Sequence, residues 1–60
     1  MDAVLDKAVE VFGSSDKAYH WLLTPNDITN GLAPFYLLDI PEGRVTVLAI
    51  LTRIEHGVFS

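Results

Sequence analysis

The stretch Gly43-Arg44-Val45-Thr46-Val47-Leu48-Ala49-Ile50-Leu51-Thr52-Arg53-Ile54-Glu55-His56-Gly57-Val58-Phe59-Ser60 decides how the rest of the chain is read. Its apolar residues Val47, Leu48, Leu51, Ile54 and Val58 recur at i, i+1, i+4, i+7 and i+11, the spacing of one helix face. Ile50 is expected off that stripe. Arg44, Thr46, Thr52, Arg53 and Glu55 are polar and fall mostly between the apolar positions. A helix is therefore predicted. Gly57 is predicted to stop it, because glycine enters the left-handed conformation just past a helix end at little cost. Val58 and Phe59 lie beyond the stop and need cover, either from their own domain or from another protein. Periodicity alone favours their own domain. At the other end, Pro41 at the first helical position and Glu42 in the first turn suit a helix start. Ile40 has no side-chain oxygen with which to cap, so a hydrophobic staple is expected there.

Working back toward the N-terminus, Pro34 suits the first position of a short helix over 34–39, with Phe35, Leu37 and Leu38 available for packing. Ala33 stands at its cap position and cannot cap. Pro25, Asn26, Asp27, Asn30 and Gly31 are turn residues. Ile28 is expected to anchor this connector in one short helical turn, and Gly31 to hold a positive φ. Pro25 ends the preceding helix, predicted over 16–23, because the residue before a proline is pushed out of the α region. Ala18, Trp21, Leu22 and Leu23 supply its apolar positions, and Trp21 is expected in the core. Asp16 and His20, four apart, form at most a weak surface pair. Gly13-Ser14-Ser15 is a turn in which Gly13 closes a first helix and Ser14 or Ser15 caps the second. That first helix, 2–12, has Val4, Leu5, Ala8, Val9 and Phe12 as its apolar face. Asp2, Asp6 and Glu10 line another face at i, i+4 and i+8. They are read as a solvated face rather than an acidic docking ridge. Val45-Thr46-Val47 is β-branched but lies inside the 3.6-residue period, and no alternating run is bounded by hairpin turns. The fold expected is all-α: a compact bundle of four to five short helices with no sheet.

Composition bounds what such a bundle does. Sixty residues make one domain, which buries only about 60% of its unfolded surface. There is no cysteine, so neither a disulfide nor a cysteine-based zinc site reinforces it. Half the residues are apolar and the mean hydropathy is +0.33. A chain this short cannot hide them all, and an exposed apolar patch marks protein contact. The net charge is -4 and the pI about 4.7. Lys7, Lys17, Arg44 and Arg53 are the basic residues and do not cluster, which argues against direct nucleic-acid binding. No apolar run is long enough for a bilayer, and Met1-Asp2 opens an acidic helix rather than a signal peptide. A cytoplasmic location is expected.

The groups that carry catalysis are missing. Serine occurs only at Ser14, Ser15 and Ser60, the first two in a capping turn. His20 and His56 are 36 positions apart, without metal-ligand spacing. Ser60, His56 and Glu55 form a triad on paper, but at a chain end with nothing to hold it to the tolerance catalysis requires. No enzyme activity, no metal and no cofactor is expected. From the residues alone the chain is a binding module.

Several stretches together resemble the C-terminal toxin-binding domain of the Xre/MbcA/ParS-type antitoxins. Ala8-Val9-Glu10-Val11-Phe12-Gly13 is similar to the family's first helix and its glycine stop, and Lys17-Ala18 with Trp21-Leu22 to its second. Pro25-Asn26, Gly31, Pro34 and Leu37-Leu38 follow its connector. Gly43, Val47, Leu51, Arg53-Ile54 and Gly57-Val58 follow its last helix and tail. The resemblance implies an antitoxin of a bacterial type II toxin–antitoxin system. Its partner would be a RES-domain toxin, which degrades NAD or uses it for ADP-ribosyl transfer. It further implies that the C-terminal segment obstructs the toxin's active-site cleft, through Arg53, Ile54, Glu55, His56, Gly57 and Val58, with Phe59 and Ser60 adjoining. In the family a helix-turn-helix region precedes this domain. Residues 1–60 are expected to be the toxin-binding domain without it. The family often has leucine where Thr29 stands, and threonine where Ala33 and Ile40 stand. Each lost hydroxyl cap is worth about 1 kcal/mol. The alternative reading is a small helical homodimerisation module with no toxin-neutralising role.

Overall fold

The first two helices of the computed structural model, which describes residues 2–57, begin and end where local chemistry satisfies the backbone. Helix α1 spans Ala3–Phe12. Asp2 precedes it with extended dihedrals, and its Oδ1 accepts from the Val4 and Leu5 amides at 2.9 and 3.4 Å. Asp2 is thus the N-cap. Gly13 takes the left-handed conformation at φ 87° and donates its N–H to the Val9 carbonyl at 2.8 Å. Helix α2, Ser15–Leu23, starts one residue earlier than its spacing predicts, because Ser14 rather than Ser15 is the cap. The Ser14 Oγ accepts from the Lys17 amide at 3.3 Å. Thr24, before Pro25, is extended, and α2 stops there.

The connector folds more tightly than turn propensities require. Asp27–Thr29 forms one turn of 3-10 helix, with the Asn26 side chain accepting from the Ile28 amide at 2.9 Å. Asn30 and Gly31 both take positive φ, 60° and 86°. Ile28, expected to anchor this segment, is instead 57% exposed. The anchor is Thr29, which is buried. Its hydroxyl donates to the Asn26 carbonyl at 2.9 Å and also engages the Leu32 carbonyl. The inward position thus goes to the side chain that can satisfy loop carbonyls, which isoleucine cannot.

A second 3-10 helix, Pro34–Asp39, leads directly into helix α3, Pro41–Glu55. Proline opens both, and neither Ala33 nor Ile40 makes a side-chain cap bond. Leu37 and Leu38 pack against the core, whereas Phe35 stands exposed with its ring edge-on to Tyr36. The core is Val4 and Ala8 from α1, Ala18 and Leu22 from α2, and Val47 and Leu51 from α3. Two alanines among six residues let the helix backbones come close. Helix α1 packs on both α2 and α3, and the second 3-10 helix lies against α3 and α2. At Gly43 the α3 backbone meets that of the second 3-10 helix. A Cβ there would stand 2.8 Å from the Leu37 carbonyl carbon and closer still to its oxygen.

That approach explains why Ile50, predicted off the stripe, is buried. At about 100° per residue, Ile50 stands about 60° from Val47 on the side of Gly43, while Leu48 stands about 100° away on the other. The second 3-10 helix covers the Gly43 edge of α3. The buried positions therefore become Gly43, Val47, Ile50 and Leu51, and Leu48 is only half-buried. No strand occurs among the described residues, and the all-α bundle is as expected. Its radius of gyration, 10.6 Å, is close to the roughly 10.4 Å of a compact chain of this length. Apolar side chains such as Tyr36 (67%) and Val45 (66%) are nevertheless exposed, an apolar surface that a well-packed domain of this size leaves uncovered. No helix among the described residues is long and apolar enough to cross a membrane.

Candidate functional site at the end of helix α3

The residues singled out from the sequence as Arg53 to Ser60 divide at Gly57. Val58, Phe59 and Ser60 lie outside the described residues. The others form the last turn of α3 and its exit. The His56 amide donates to the Thr52 carbonyl and the Gly57 amide to the Ile54 carbonyl, both at 3.1 Å. Gly57 then turns left-handed at φ 70°, as a helix stop requires. Ile54 is half-buried, while Arg53, His56 and Gly57 are exposed. Arg53 makes no ion pair with Asp39 or Glu42 among the described residues. Its charge sits favourably beside the last carbonyls of the helix, the negative end of its dipole.

Glu55 is placed differently. Its Oε1 accepts from Lys7 Nζ at 2.5 Å, a bond that crosses from α3 to α1 over 48 positions of sequence. Glu10 stands 3.8 Å from the same ammonium. The hydrogen bond from Lys7, with Glu10 adding to it, holds the Glu55 carboxyl below the ordinary value of 4.5. The same bond raises the Lys7 ammonium above 10.5. A second pair joins the opposite ends of these helices: Arg44 donates to Asp2 Oδ1 at 2.7 Å and to the Leu38 carbonyl at 3.4 Å. Desolvation pushes the Asp2 carboxyl up. The Val4 amide, the Arg44 guanidinium and the Leu5 amide outweigh it, so the net shift is below 3.8. The three acids of the α1 face are thus not one ridge. Asp2 caps and pairs, Glu10 joins Lys7, and Asp6 is exposed. Sequence reasoning had no means of finding Lys7, since nothing local links it to Glu55.

These shifts fix the sign of the acid response. Both carboxyls are lowered, so their stabilising contribution is complete above their ordinary values. It is lost as the pH falls through the lower folded ones. The Lys7 contribution, from a raised ammonium, persists until the pH climbs past 10.5. Thermal melts are expected to show a lower Tm at about pH 3 than at about pH 6. Asp2→Asn, which retains a capping oxygen but no charge, should flatten part of that loss.

A separate groove of about 500 Å3 lies over α1 and α2, lined by Phe12, Asp16, Lys17, His20, Trp21, Thr24 and Asn26. Trp21, expected in the core, packs against it half-buried and also forms the wall of this groove, with the Phe12 ring centroid 5.6 Å away. None of Arg53 to Gly57 lines it. No group of three or more His, Cys, Asp or Glu side chains suited to a metal occurs among the described residues. The Ser14 hydroxyl is committed to its cap. The end of α3 presents an exposed guanidinium and an exposed imidazole, Arg53 and His56, on a helix held to α1 by the Glu55–Lys7 pair.

Residues 7–57 match the family described as the antitoxin Xre/MbcA/ParS C-terminal toxin-binding domain. The chain is 38% identical over 58 residues to an antitoxin Xre of Photorhabdus laumondii, covering 95% of this chain and 39% of that protein. It is 40% identical over 58 residues to an antitoxin Xre of Yersinia enterocolitica, with the same coverage. A third antitoxin Xre, of Pseudomonas putida, is 36% identical over 50 residues, covering 83% of this chain and 31% of that protein. No solved structure matches the chain. The chain therefore spans about two fifths of the first two of these relatives. With the match running from the middle of α1 to the glycine that ends α3, the chain belongs to the antitoxin Xre/MbcA/ParS C-terminal toxin-binding domain family.

Proposed function

We propose that this domain is the toxin-binding part of a bacterial antitoxin, that its partner is a RES-domain toxin, and that it acts in the cytoplasm without enzymatic activity of its own. The observation that carries this reading is the family match through Gly57, at the end of a helix that leaves Arg53 and His56 exposed. In this mechanism α3 projects the C-terminal segment into the toxin's NAD-consuming cleft. Val58 and Phe59 supply apolar anchor area, and Arg53 and His56 make the polar contacts. Arginine is a frequent hot-spot residue, because its planar fork bonds several acceptors at once. Neutralisation is then steric: substrate and antitoxin compete for one cleft.

The test is co-purification of the domain with a RES-domain toxin encoded beside it, followed by an assay of NAD loss. A stable complex with suppressed NAD loss is expected. Undiminished NAD loss would overturn the reading. The exposure of Tyr36, Val45 and Ile40 favours a second reading, self-association. Two copies of the domain held together in the presence and absence of toxin would support it, and a single copy in both states would exclude it.

A further inference from the structure

By helix electrostatics alone Glu55 is misplaced. A carboxylate in the last turn faces the negative end of the helix dipole and weakens the helix where it already tends to fray. The structure compensates from a distance. Lys7 lies on α1 between Val4 and Ala8, both fully buried, so its backbone is fixed to the core. Its side chain, 24% exposed, meets that of Glu55, 31% exposed, whereas the Glu10 side chain is 65% exposed and stands farther off. The less exposed pair is also the shorter one, at 2.5 against 3.8 Å.

The geometry points to Lys7 as a positioning residue for the C-terminal site: by holding Glu55 it fixes the last turn of α3, where Arg53 and His56 are exposed. This rests on the reading of that end as the toxin contact. Glu55 then serves the interaction from inside the domain, and the outward contacts fall to Arg53 and His56. The gain is preorganisation. A helix end already ordered before binding does not lose that freedom when the toxin docks. Fraying of an unbraced last turn would cost affinity without changing any contact surface.

The test is a double-mutant cycle with Lys7→Met, Glu55→Gln and both together, measuring the Kd for a RES-domain toxin. Amide exchange of His56 and Gly57 is measured on the free domain. Each single variant is expected to weaken binding about fivefold. The double variant should be no weaker than either single, and Lys7→Arg should keep most of the affinity. Without toxin, both single variants should speed exchange at His56 and Gly57 while leaving Val47 and Leu51 unchanged. Additive losses in the double variant would mean that Glu55 touches the toxin itself, and would overturn the inference. Unchanged exchange at His56 and Gly57 would overturn it as well. If the unaltered domain binds no such toxin, the antitoxin reading fails, and the exchange data still decide whether Lys7 orders this helix end.

Discussion

Gly43→Ala is expected to destabilise the domain by about 3 kcal/mol or more, the upper end of what overpacking costs. Helix propensity predicts the opposite sign: glycine in a helix interior is about 1 kcal/mol worse than alanine. Packing decides, because the new Cβ would meet backbone. It would stand 2.8 Å from the Leu37 carbonyl carbon, nearer to the oxygen, and 3.0 Å from the Leu37 Cβ. A carbonyl in a 3-10 turn cannot rotate aside as a side-chain tip can. To admit the methyl group, α3 and the second 3-10 helix must separate. At about 0.05–0.15 kcal/mol per residue the whole domain is worth only about 3–9 kcal/mol, so the variant loses a third of its stability at the least. A Tm lowered by about 12 °C or more is the readout. Gly13→Ala is the control. It has open space and a positive φ, so it should cost only the left-handed strain of about 1–2 kcal/mol. A Gly43→Ala variant as stable as the parent would mean that the two elements are not in contact.

Deleting Gly57 to Ser60 is expected to abolish neutralisation while leaving the helices intact. Helix α3 ends at Glu55 and the His56 amide keeps its bond to Thr52, while the bond from the Gly57 amide to Ile54 is removed. The core residues Val47 and Leu51 lie a turn or more upstream. Truncation past the last helical residue leaves the helical hydrogen bonds of α3 in place. Circular dichroism should therefore match that of the full domain. In cells expressing the toxin, growth should fail as it does with toxin alone. Rescue by the truncated chain would place the blocking element elsewhere on the domain.

Element boundaries were legible because they depend on local backbone chemistry. Gly13 and Gly57 take the positive φ that ends their helices, Ser14 caps, and Pro25, Pro34 and Pro41 stop or start elements as their rings dictate. The fold class followed from these. What the sequence could not reveal is set between elements. Ile50 is buried because a neighbouring 3-10 helix covers that edge of α3. Thr29 replaces Ile28 as the connector's anchor because two loop carbonyls converge on it, which no propensity records. Trp21 packs against the core as expected but only half-buried, since Ala18 and Leu22 take the inward positions of α2, and its remaining face lines a surface groove. At the candidate site, Arg53 to Gly57 were grouped by the family resemblance, and the exposure of Arg53, His56 and Gly57 is what the structure adds. The pairing of Glu55 with Lys7 was not, being separated by 48 positions.

The two charge pairs between α1 and α3 are opposite in polarity, and that order carries information about direction. Near the start of both helices the acid, Asp2, belongs to the α1 side and the base, Arg44, to α3. Farther along, the base, Lys7, is on α1 and the acid, Glu55, is on α3. Were α1 laid against α3 the other way round, Asp2 would approach Glu55 and Lys7 would approach Arg44, two repulsions in place of two attractions. A core of valine, leucine and alanine is nearly indifferent to that reversal, since small aliphatic side chains pack in either sense. In a bundle of short helices with no disulfide to fix its topology, four partly exposed charges thus act as a compass, favouring the observed direction over its reversal.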